Sequence, residues 1–170
     1  MKIAIKDASI IFDLFDMELL DEFLSLKYLF ITSDFVHSEI KSPETTKNFS
    51  IFIKNKKIKI VSLSFEELEE AQAIKKYKSG LSMHDCSVIF LAEKYKAILL
   101  SGDKAIRTTA KTIGIEYHGI LWALDQLIEQ KIITSKTAKD KLKYLMSINN
   151  RLPQKECQKR IDQWCKYNKH

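Results

Sequence analysis

Five short apolar segments recur along the chain, each separated from the next by a stretch with helical spacing. They are Lys2–Lys6, Leu29–Thr32, Ile58–Leu63, Ala97–Leu100 and Ile115–His118. Each is too short for a helix but the right length for a strand. Between them, Ile10, Ile11, Leu14 and Phe15 share one helical face, and Leu19, Leu20, Phe23 and Leu24 share another. Strands joined through helices are parallel, because a parallel pair needs a long crossover, and the crossover helices must cover the sheet. The pattern therefore predicts a three-layer α/β/α fold around a central parallel sheet.

Local signals set the boundaries. Ser33 or Asp34 caps a helix running to Ile40. Ser42-Pro43 marks residues 41–48 as an open loop. Ser64 with Glu67, and Ser82 with Asp85, each form the two ends of a capping box. The first box opens a helix to about Lys78 that Gly80 ends; the second opens a helix carrying Val88, Ile89, Leu91 and Ala92. Lys104–Ile113 reads as a helix closed by Gly114. Three further helices are expected at about Ile120–Gln130, Ser135–Ser147 and Gln154–Tyr167. Residues 1–133 then form the α/β domain, and residues 134–170 a helical C-terminal extension packed on or beside it.

Several classes drop out. Four Gly and two Pro in 170 residues exclude a collagen-like chain or a turn-rich barrel of small strands. The longest apolar runs, such as Val88–Ala92, are too short to cross a bilayer, and charge interrupts the apolar stretch after Met1, so no signal peptide is expected. The expectation is a soluble cytoplasmic chain without membrane contact. Cys86, Cys157 and Cys165 are odd in number and lack a CxxC pair, which argues against a disulfide framework or a structural zinc site. His84 and Cys86 point about 100° apart on a helix, so they do not form a Cys–His couple. There is no GxGxxG and no P-loop lysine motif. Trp122 lies on an apolar helical face with Leu121, Leu124 and Leu127, and Trp164 with Ile161 packs the last helix. The net charge of +6 is unevenly spread. Residues 136–170 carry +7 and the preceding 135 residues −1, a distribution that suits a polyanionic partner.

In open parallel sheets, chemistry gathers beyond the carboxyl ends of the strands. Asp7 ends the first strand, Asp103 follows the fourth, Asp85 stands in the first turn of the helix leading into the fourth, and Glu39 lies in the helix after the second. Four converging carboxylates repel one another unless a cation neutralises them, and a hard divalent ion such as Mg²⁺ or Mn²⁺ is the natural counter-charge. Lys104 and Arg107, one turn apart beside Asp103, are candidates for holding substrate phosphates. Each acid also has a structural reading: Asp85 as a capping-box acid, Asp103 as a helix cap, Glu39 as a solvated charge.

The segments Ile3-Ala4-Ile5-Lys6-Asp7-Ala8-Ser9, the Glu39 helix, Gly80-Leu81-Ser82-Met83-His84-Asp85 and Leu99-Leu100-Ser101-Gly102-Asp103 resemble, in order, the acidic motifs of the PIN-domain family, which includes the VapC-type nuclease toxins. The resemblance runs from Met1 to about Gln130. The 40 residues beyond exceed a compact toxin and look more like a longer, poorly characterised branch. The resemblance implies that Asp7, Glu39, Asp85 and Asp103 bind the metal and carry catalysis. Ser9 and Ser101 match hydroxyl residues that support the acids or orient substrate. Where some members carry another acid beyond the last Asp, this chain has Lys104-Ala105-Ile106-Arg107. The implied activity is metal-assisted hydrolysis of phosphodiester bonds by in-line attack of water, with RNA favoured over DNA as substrate. An antitoxin protein and a homodimer are the partners that it implies. The alternative is a non-catalytic nucleic-acid-binding or regulatory protein on the same fold.

Overall fold

In the computed structural model, residues 2–5, 8–40 and 43–167 are described. The elements run in chain order β1 (Lys2–Ile5), α1 (Ala8–Asp16), α2 (Leu20–Leu24), β2 (Leu29–Ser33), α3 (Asp34–Glu39), α4 (Pro43–Lys54), β3 (Ile58–Val61), α5 (Phe65–Ala73), α6 (Met83–Lys94), β4 (Ile98–Leu100), α7 (Lys104–Thr112), β5 (Tyr117–His118), α8 (Ile120–Glu129), α9 (Ser135–Ile148) and α10 (Gln154–Tyr167). The sheet order is β3-β2-β1-β4-β5 and every pairing is parallel. The chain builds outward from β1 through β2 to β3, then returns to the other side of β1 for β4 and β5. The reversal falls between β1 and β4, where Ile5 lies opposite Leu100.

The strands feed two apolar layers, as the pleat requires. Ile98 and Leu100 of β4 join one cluster, shared with α1, α2, α4 and α8–α10, while Leu99 joins the other, shared with α5, α6 and α7. Phe30 and Ile31 of β2 divide in the same way. The three-layer parallel α/β arrangement expected from the sequence is therefore present. Among the described residues, no helix is long and apolar enough to cross a membrane.

Residues 43–48 are not an open loop. They belong to α4, whose Phe49 and Phe52 are buried. Pro43 stands at the first helical position, where its fixed φ suits the helix and its missing N–H removes a donor with no partner there. The breaker signal was a start signal. The helix from Ser64 also differs at its end. It passes from α5 into a 3₁₀ turn at Ile74–Lys76, and Gly80 does not adopt a positive φ. Gly114, at φ +76°, does close α7.

With so few glycines, the chain ends other helices on larger residues. Glu18, Lys56, Lys96 and Lys131 have φ of 54°, 56°, 49° and 59°. Each makes the paired backbone bonds of a Schellman close; after α6, for example, Lys96 N–H donates to Glu93 O and Ala97 N–H to Ala92 O.

The two last helices share the first apolar cluster through Ala138, Leu142, Leu145, Leu152, Cys157, Ile161 and Trp164. On α8, Asp125 accepts a 3.0 Å bond from Trp164 Nε1 and pairs with Arg160. Trp164 is thus a buried anchor of α10.

Candidate active site

At the carboxyl end of β2, Ser33 caps α3 by accepting from Val36 N–H at 3.3 Å. Its hydroxyl also lies 2.9 Å from Ser87 Oγ, and both residues are buried. Ser87 donates to His84 O at 2.7 Å, so the proton shared by the two hydroxyls comes from Ser33. This hydroxyl pair ties the first turns of α6 to the carboxyl edge of the sheet. Glu39, the last residue of α3, meets that turn, with Oε1 3.7 Å from His84 Nδ1. The His84 ring also stands edge-on to Phe35.

The next residue is Asp85. It completes the capping box of α6, Oδ2 accepting from Ser82 N–H at 2.9 Å while Ser82 Oγ accepts from Asp85 N–H at 3.2 Å. Beyond β4, Asp103 is the N-cap of α7. Its Oδ1 accepts from Ala105 N–H at 2.7 Å and from Ile106 N–H at 3.1 Å. Ser101 is wholly buried, and its Oγ accepts from Asp103 N–H at 3.0 Å, fixing the loop that presents the acid. Lys104 is exposed and Arg107 half-buried on the first turn of α7. Ser9 is half-buried in the first turn of α1.

The structure thus brings Glu39 beside the His84–Asp85 turn and puts Asp103 on the adjoining helix start, next to the β1–β4 reversal. Asp7 lies outside the described residues. Among the described residues, no three or more His, Cys, Asp or Glu side chains form a group able to hold a metal ion. The donors at this edge are carboxylates, serine hydroxyls and the His84 imidazole, of which the oxygens suit a hard cation. The cap of Asp103 is made by Oδ1, and that of Asp85 by Oδ2.

Sequence reasoning passed over His84, Ser33 and Ser87 as neighbours of the acids. Ser33 carried a capping signal, but its pairing with Ser87, 54 residues away, had no local signature. Cys86, one turn from this edge, is buried, and burial pushes its thiol above the usual range, which removes it as a nucleophile.

Residues 3–166 match a family model described as a PIN domain. Among solved structures, the chain is similar to PAE2754 from Pyrobaculum aerophilum, with a TM-score of 0.52 and 15% identity. That match covers 76% of this chain and 99% of the other. No curated protein matched.

Proposed function

The chain belongs to the PIN-domain family, whose members are generally metal-dependent nucleases, and from that premise we propose that it is an endoribonuclease using Mg²⁺ or Mn²⁺. The reading is supported by the position of Glu39, Asp85 and Asp103, which stand at helix ends on the carboxyl edge of the sheet. In this reading a cation offsets the mutual repulsion of the carboxylates that share this edge. In this reading Asp7, Glu39, Asp85 and Asp103 hold the ion. When bound, it supplies Lewis acidity and charge neutralisation toward the phosphodiester.

The protein's own groups do the remaining work. Ser101 holds the Asp103 loop, Ser9 orients substrate beside the first acid, and Lys104 and Arg107 receive the phosphates that flank the cut. The capping bonds on Asp85 and Asp103 fix the orientation of both carboxylates. The role of a toxin held by an antitoxin, and assembly as a homodimer, belong to the same proposal.

The test is cleavage of a mixed panel of labelled RNA and single-stranded DNA, with Mg²⁺, with Mn²⁺ and with EDTA. RNA cut only with metal supports the reading. Binding without cutting under every metal condition moves the assignment to a nucleic-acid-binding module.

A further inference from the structure

The last two helices form a hairpin whose direction can be read from its anchors. Lys141 pairs with Glu18, just past the end of α1, at 2.6 Å, and Asn149 Nδ2 donates to Asp13 Oδ1 at 2.8 Å. Moving along α9 from 141 to 149 therefore moves back along α1 from 18 to 13, and the two helices are antiparallel. Helix α1 starts at Ala8, beyond the carboxyl end of β1, so the end of α9 is directed toward the same edge as the candidate acids. From Asp13 to Ala8 is about 7.5 Å of helix rise, within the reach of a long cationic side chain.

The second helix of the hairpin is placed by the first. Helix α10 begins at Gln154, five residues after Asn149, so its start lies beside the end of α9. Helix α10 is also fixed to α8, with Arg160 and Trp164 on Asp125.

The turn between α9 and α10 is anchored and basic. Leu152 is buried, and Arg151 N–H donates to Asn149 Oδ1 at 3.1 Å, so the backbone is pinned while the Arg151 side chain is exposed. Lys155 is exposed in the first turn of α10. A cation there works against the helix dipole, which favours an anion at this end. One acid, Glu156, accompanies the two cations.

We propose that Arg151 and Lys155, carried by the α9–α10 turn, hold the RNA backbone as it leaves the carboxylate cleft. The proposal rests on the nuclease reading for its ligand and adds a docking arm outside the acidic centre. Lys136 and Lys166 stand at the other end of the hairpin, about 18 Å along each helix.

The experiment is fluorescence anisotropy of a labelled single-stranded RNA of mixed sequence with the full chain, in EDTA, over a salt series. Arg151→Ala/Lys155→Ala is compared with Lys136→Ala/Lys166→Ala, which removes the same charge elsewhere. Loss of two phosphate contacts flattens the slope of log affinity against log salt by about 1.4 and weakens binding about tenfold at physiological salt. The control pair is expected to leave both near wild type. Equal effects of the two pairs, an unchanged slope in the first, or no RNA binding by the wild-type chain each overturn the proposal. The nuclease reading fails separately: binding that obeys these expectations without metal-dependent cleavage removes the enzyme and keeps the arm.

Discussion

Asp103 allows the cap and the charge to be separated at one position. As N-cap of α7 its Oδ1 accepts two backbone N–H groups, at 2.7 and 3.1 Å. Asparagine supplies the same acceptor and caps as well as aspartate, so Asp103→Asn gives up only the dipole contribution of the charge, about 0.3–1 kcal/mol. Asp103→Ala gives up the cap as well, about 1 kcal/mol more. For a chain of this length each kcal/mol moves Tm by about 2–4 °C, so the order wild type, Asn, Ala is resolvable by calorimetry or circular dichroism. Cleavage follows a different order. Removing even a residue that merely supports a metal ligand costs about 10–100-fold, so losing a ligand costs at least about 100-fold, equally in Asn and Ala. A loss of about 1 kcal/mol from the 5–15 kcal/mol of a typical domain unfolds too little protein to imitate that. Asp103→Asn cleaving RNA at the wild-type rate under Mn²⁺ would refute the assignment of this acid and leave it a cap.

Three further outcomes test the structure around the site. Lys96→Gly removes a side chain from a residue at φ 49° and is expected to raise Tm by about 1–4 °C, the relief of the left-handed backbone exceeding the entropy that glycine adds to the unfolded chain; a fall in Tm rejects the strain argument. In the α5 capping box, the Lys94 ammonium and then the Ser64 N–H hold the Glu67 carboxyl below the ordinary glutamate value of 4.5. A depressed folded-state value stabilises above 4.5 and is lost as pH falls through the folded value, so the denaturation midpoints of wild type and Glu67→Gln should converge between pH 6 and pH 3; a gap independent of pH contradicts this. A thiol reagent should titrate exposed Cys165 in the native chain, and Cys86 and Cys157 only on unfolding, since both are buried and burial raises both thiols. Three fast-reacting thiols would contradict the packing.

The sheet was legible because each strand announces itself twice, by an apolar run and by the helices that must cover it. The two capping boxes and the Gly114 close were legible because their hydrogen bonds join residues three to five apart. The failures share one cause, a local signal with two meanings. Ser42-Pro43 can break a chain or begin a helix, and what decides between them is the burial of Phe49 and Phe52, which the dipeptide does not encode. Gly80 could have closed a helix, but the close that occurs at Gly114 occurs equally at Lys56, Lys96 and Lys131, where no glycine marks it. At the candidate site, the Ser33–Ser87 hydroxyl pair and the approach of Glu39 to His84 join residues 54 and 45 apart, beyond any spacing rule.

The acids themselves pose a deeper ambiguity. A helix N-terminus exposes backbone N–H groups that an acidic side chain satisfies, and the carboxyl edge of a parallel sheet is where α3 and α7 start and where the Ser33–Ser87 contact holds the start of α6. The same edge, at the β1–β4 reversal, is where open parallel sheets bind their ligands. A carboxylate there is favoured by the cap and by a cation at once, and the two uses do not compete at Asp103, whose cap is made by one oxygen. Sequence spacing therefore cannot separate a cap from a ligand in this fold, and neither can a stability measurement on an alanine variant, which removes both. Only a substitution that keeps the acceptor and removes the charge can do so. Glu39 escapes the ambiguity, since it ends α3 instead of starting it and caps no helix. A negative charge at a helix C-terminus is disfavoured by the α3 dipole, and facing the α6 start offsets this, because that N-terminus is the positive end of the α6 dipole. His84 Nδ1 lies 3.7 Å away, so the proposed ion is a further use of Glu39 and not what its position requires.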